Sequence, residues 1–137
     1  MTKLAVEQTS LRILPKDTLL VAMYGQGQTR GRTGLLKIPA TINQACFAIL
    51  PNPEKFNTEY LHTWLMYSYS QLRELSESHG VTQPNLNGRM LRALMLPFPP
   101  LDEQKSIAVR LNKAEVIKKV NTESNKKIEE LQSSLLQ

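Results

Sequence analysis

Residues 25–34, GQGQTRGRTG, concentrate the side chains best suited to recognising a ligand: four glycines, two glutamines, two threonines and two arginines in ten positions. Glycine lets backbone come close to phosphate, arginine forks onto guanine or phosphate, and glutamine pairs with the edge of adenine. Gln26, Gln28, Thr29, Arg30 and Arg32 are therefore the first candidate DNA contacts. A second polar cluster, Gln83, Asn85, Asn87 and Arg89, offers the same chemistry. The competing reading makes both clusters turn and capping residues. It fits Asn85 and Asn87 better than it fits the arginines.

Other chemistry finds little support. A Walker A loop needs a second glycine five residues after the first and then a lysine. Gly25 and Gly27 meet Arg30 and Arg32 at that offset, and a strand pattern rather than a helix follows. A dinucleotide fingerprint fails on the same ground. Asn52-Pro53-Glu54-Lys55 lacks the second proline and the aromatic of an amino-methyltransferase motif. His62 and His79 have no cysteine or carboxylate at metal-ligand spacing, and Cys46 sits in a strand pattern as a small apolar residue. The reading is of a binding protein, not an enzyme.

Charge points the same way. The net +5 divides unevenly, with +4 in residues 1–100 and +1 in the remainder. No acid lies between Asp17 and Glu54, a span holding Arg30, Arg32 and Lys37, nor between Glu77 and Asp102, a span holding Arg89 and Arg92. Two acid-free basic stretches suit a polyanion. The lone Cys46 cannot form an internal disulfide, no stretch is long and apolar enough to span a membrane, and the first ten residues lack a signal-peptide core. We expect a soluble, cytoplasmic chain.

The elements that must position these residues follow from pattern. Leu14-Pro15-Lys16-Asp17 reads as a turn. Residues 18–24 (TLLVAMY) read as a buried strand, and residues 35–38 and 41–50 as strands divided by Pro39. Asn57 or Thr58 caps a helix running to about Ser78, with Leu61, Trp64, Leu65, Ser68, Leu72 and Leu75 on one face and Gly80 as its stop. Asn87 caps a single helical turn, and residues 93–98 (ALMLPF) read as a last strand stopped by Pro97, Pro99 and Pro100. From Asp102, read as an N-cap, the chain holds neither proline nor glycine. Ile107, Leu111, Ala114, Ile117, Val120, Ser124, Ile128, Leu131 and Leu135 recur at a mean spacing of 3.5 residues, the coiled-coil period. A helix of about 50 Å cannot bury that stripe on so small a domain, so it needs a partner helix. The fold class is α+β (mixed α/β): a small sheet-containing domain over residues 1–100, then a long helix over residues 101–137.

At this point the sequence resembles the specificity subunit of type I restriction–modification enzymes. Three pieces carry the likeness: residues 18–25 (TLLVAMYG), a strand entering a glycine loop; residues 40–45 (ATINQA), with Asn43 and Gln44; and residues 80–87 followed by 96–104 (LPFPPLDEQ), the joint to the family's conserved helix. The last piece is the most specific, and the resemblance as a whole covers about residues 14–137. The resemblance implies a non-catalytic subunit in which a target-recognition domain reads one half of a split DNA site. It also implies long helices that pair antiparallel and dock methyltransferase, and in some assemblies restriction subunits. S-adenosylmethionine and ATP then belong to those partners, and no cofactor is expected here. One recognition unit is shorter than the family pattern, so we expect a truncated or half-size subunit that dimerises through its helix. The alternative is an interaction remnant that docks methyltransferase and reads no DNA.

Overall fold

The computed structural model describes residues 12–25, 28–77 and 85–135. Three strands form an antiparallel sheet in the order β2-β1-β3, with β1 Leu19–Ala22, β2 Thr33–Leu35 and β3 Cys46–Ile49. Leu19 pairs with Leu35 on one side and Ile49 on the other, and Ala22 pairs with Cys46. As the central strand, β1 must bury its side chains, and Leu19 and Val21 are fully buried. The expected Pro15–Asp17 turn is present: the Thr18 hydroxyl donates to the Pro15 carbonyl, and Asp17 takes a φ of 65°.

The expected second and third strands are displaced. β2 begins at Thr33, two residues early; beyond it Leu36 bonds Thr18 and Asp17 through the backbone, and a Leu14–Ala40 bridge follows. Residues 41–45 lie outside any strand because the Asn43 side chain accepts the Ala45 N–H at 3.0 Å, a local bond that replaces a ladder bond.

Helix α1 (Thr58–Tyr67) starts at Asn57, whose Oδ1 accepts the Tyr60 N–H at 2.8 Å. Where one helix was expected there are two, α1 and α2 (Tyr69–Glu77), divided at the buried Ser68. Ser68 takes part in helical bonds on both sides, its N–H donating to Trp64 O and its carbonyl accepting the Leu72 N–H. Leu61, Leu65 and Leu72 of this pair join Leu19, Val21 and Leu86 in the core, and Trp64 packs at its edge. The side chain of Leu75, and Gly80, lie outside the described residues.

Helix α3 (Gly88–Arg92) is the expected single turn, with Asn87 Oδ1 accepting the Met90 N–H at 3.0 Å. Residues 93–98 form no strand. Leu94 and Leu96 pack against the core while the three prolines supply no N–H for a ladder. Helix α4 (Leu101–Leu135) begins one residue before Asp102, which lies in its first turn.

Candidate nucleic-acid interface

β1 is antiparallel to both neighbours, so its C-terminal end meets the N-terminal ends of β2 and β3. The glycine loop leaves β1 there and returns as β2. The Asn43-Gln44 turn enters β3 at the same end, where Met23 N donates to Ala45 O at 2.8 Å. The second polar cluster arrives there as well, since Leu86 N donates to Met23 O at 3.0 Å and the Leu86 side chain is fully buried. Three polar segments far apart in sequence thus share one end of the sheet. Gln28, Thr29, Arg32, Asn43, Gln44, Asn85 and Arg89 are all exposed there.

The loop is compact. Gly25 has a φ of 126°, and a Cβ on it would stand 2.8 Å from the Thr29 Cβ, so only glycine closes this turn without displacement. Gly31, at a φ of 84°, is buried, and a Cβ on it would stand 3.5 Å from the Leu72 Cβ and the Tyr69 ring of α2. Arg32 stays exposed and folds back on Gln28, donating to its carbonyl through Nε at 3.0 Å and to its Oε1 through Nη2 at 2.8 Å. The Tyr69 hydroxyl donates to the same carbonyl at 2.8 Å.

Arg30 turns the other way. Only 6% of it is exposed, and its Nη2 meets Glu77 Oε1 at 2.8 Å. Arg73 lies over the Tyr69 ring at 5.7 Å and within 3.8 Å of Glu77. Sequence reasoning missed Tyr69, Arg73 and Glu77, although their four-residue spacing puts them on one face of α2. Arg89 stands on α3 beside Arg92, whose guanidinium lies 5.4 Å above the Phe47 ring. Gln26 and Gln83 lie outside the described residues. Among the described residues no group of His, Cys, Asp and Glu is placed to hold a metal, and no helix is long and apolar enough to cross a membrane.

The other end of the sheet carries the helix. Gln104, 1% exposed, accepts the Asn57 N–H at 2.9 Å and donates to the Pro99 carbonyl at 2.8 Å. Tyr60 donates to the Pro97 carbonyl at 2.9 Å, and Ala108 is buried where α4 crosses α1. Ile107 and Leu111 are half-buried in this crossing, and Ala114 is exposed. Farther on, Ile117, Val120, Ile128 and Leu131 are 60%, 54%, 51% and 62% exposed. The side chain of Leu135 lies outside the described residues.

Residues 1–132 match the family described as type I restriction modification DNA specificity domain. The type I restriction enzyme MjaIX specificity subunit of Methanocaldococcus jannaschii is 34% identical over 112 residues, which cover 81% of this chain and 25% of that protein. The EcoR124I/EcoR124II specificity subunit of Escherichia coli is 23% identical over 89% of this chain and 30% of its own length. The EcoBI specificity subunit of the same species is 32% identical over 73% of this chain and 20% of its own length. The chain therefore spans about a quarter of the length of these relatives.

Proposed function

The chain belongs to the type I restriction modification DNA specificity domain family, and on that premise we propose that it is a non-catalytic module that reads duplex DNA with the polar end of its sheet. The observation that carries this reading is the convergence of the glycine loop, the Asn43-Gln44 turn and the Asn85–Arg89 segment at that end. Gln28, Thr29, Arg32, Asn85 and Arg89 contact DNA, with Gln26 and Gln83 on the same two segments. Arg30 serves from inside by holding the loop. The module directs a methyltransferase and endonuclease assembly to one half of a split site.

The exposed stripe of α4 takes a second copy and the methyltransferase. Ile117, Val120, Ser124, Ile128 and Leu131 are spaced 3, 4, 4 and 3 residues apart, a pattern that reads the same in both directions. Two antiparallel copies crossing at Ser124 set Ile117 against Leu131 and Val120 against Ile128. That register also brings Glu123 of one copy near Lys127 of the other.

Binding to duplex DNA titrated against salt tests the reading. Each phosphate contact contributes about 0.9 to the slope of log K on log salt. Arg32→Ala is expected to lower the slope by about that amount, and an unchanged slope would remove the loop from the interface.

A further inference from the structure

Helix α2 holds the glycine loop through polar bonds as well as packing. It meets the loop at three levels: Tyr69 Oη on the Gln28 carbonyl at 2.8 Å, the Leu72 side chain under Gly31, and Glu77 Oε1 on Arg30 Nη2 at 2.8 Å. Arg73 ties the first level to the third, donating to Tyr69 Oη at 3.2 Å and lying 3.8 Å from Glu77. The same Gln28 carbonyl accepts Arg32 Nε, so the tyrosine and the exposed arginine share one acceptor. The Arg32 fork is thereby fixed relative to α2 through a single backbone oxygen.

We infer that Tyr69 and Glu77 are positioning residues for DNA recognition, a latch on α2 that fixes the height and orientation of the loop and so of Gln28 and Arg32. The DNA part of this inference rests on the reading of the loop end given above; the latch itself does not. Glu77 acts on the loop through Arg30. The side chains are 52% and 7% exposed respectively, so the carboxylate is the accessible half of a pair whose cation is inside. Neutralising the carboxylate weakens the charge-assisted bond that ties the buried Arg30 guanidinium, and with it the loop, to α2.

Charge gives the inference a sign that no simple electrostatic account shares. Glu77→Gln makes the protein more basic, so phosphate attraction alone strengthens its binding to DNA. The latch predicts weaker sequence selection from the same substitution. Exposed Glu74 on the same helix is the control, because Glu74→Gln changes the charge equally without touching the loop.

Two measurements on the full chain decide it. In free protein, the Gly31 and Arg32 amides are bonded to the Ala22 and Thr29 carbonyls, so hydrogen exchange at these two positions reports loop opening. Glu77→Gln, which leaves Arg30 a neutral acceptor in place of a charged one, is expected to speed this exchange roughly tenfold, and the gentler Tyr69→Phe, which removes an exposed hydrogen bond, about threefold, while Glu74→Gln leaves it unchanged. Selection from a pool of randomised duplex DNA, read by sequencing, then follows recognition: Glu77→Gln is expected to lose motif enrichment several-fold and Glu74→Gln to keep it. Exchange as slow in Glu77→Gln as in the unaltered protein overturns the latch whatever the DNA result. Faster exchange with motif enrichment kept overturns its role in recognition. Faster exchange in a protein that selects no motif even unaltered leaves the latch standing and removes the DNA reading instead.

Discussion

The two ends of the sheet solve opposite problems with the same few residue types. At the helix end, glutamine and asparagine are turned inward: Gln104 is buried with both amide atoms bonded, and Asn57 both caps α1 and donates its N–H to Gln104. At the loop end, Gln28, Gln44 and Asn85 are exposed. A buried amide is stabilising only when each of its groups is satisfied, and its cost when one is lost makes the joint specific. An exposed amide stays within reach of a ligand even where, as at Gln28, its oxygen already accepts from Arg32. Amide content alone therefore says little about function; the backbone around each amide decides whether it locks the fold or recognises a partner.

The largest effect expected at either end comes from the apolar support of the loop. Leu72 is fully buried beside Gly31, where a Cβ on the glycine would stand 3.5 Å from it, and Leu72→Ala should cost about 3 kcal/mol in denaturant unfolding. A cost below about 1 kcal/mol would mean that the loop end is not founded on the core. Gln104→Leu, which removes both amide bonds of the joint while keeping the volume, should cost about 2 kcal/mol. It should leave hydrogen exchange at Gly31 and Arg32 unchanged, and faster exchange there would show that the two ends are coupled.

The smallest effect concerns pH and falls between the ends. His62 lies on α1, and burial lowers its pKa below the usual 6.5, with Lys37 adding to that and the Thr33 backbone and Glu59 opposing it. A lowered folded value means that the unfolded chain binds the proton more readily. Stability is therefore full above pH 6.5 and declines as pH falls from there through the folded value. His62→Gln should flatten unfolding free energy against pH across that window. An unchanged slope would assign the pH dependence to other groups.

Much of the frame was legible in the sequence. The buried central strand, the caps at Asn57 and Asn87 and the long helix all follow from local pattern, because each depends on near neighbours in the chain. What did not show was tertiary. The glycine loop reads as polar and open, yet Arg30 is turned inward because Glu77, far along the chain, stands ready to meet it. The ALMLPF stretch has a strand's composition, but Pro97 within it, the prolines just after it and the core beneath it favour an unpaired path. The break at Ser68 has no proline or glycine to announce it.

The proposed function requires that one end of the sheet reads DNA while the other presents a pairing helix. It is tested most directly by co-expressing the chain with its cognate methyltransferase subunit and mapping modified bases in the host DNA. A split, palindromic methylation motif is the predicted result, since two identical copies joined through α4 read the same half-site twice. Methyltransferase that co-purifies with the chain and leaves no modified motif would contradict the claim, and would mark the chain as a docking element that reads no DNA.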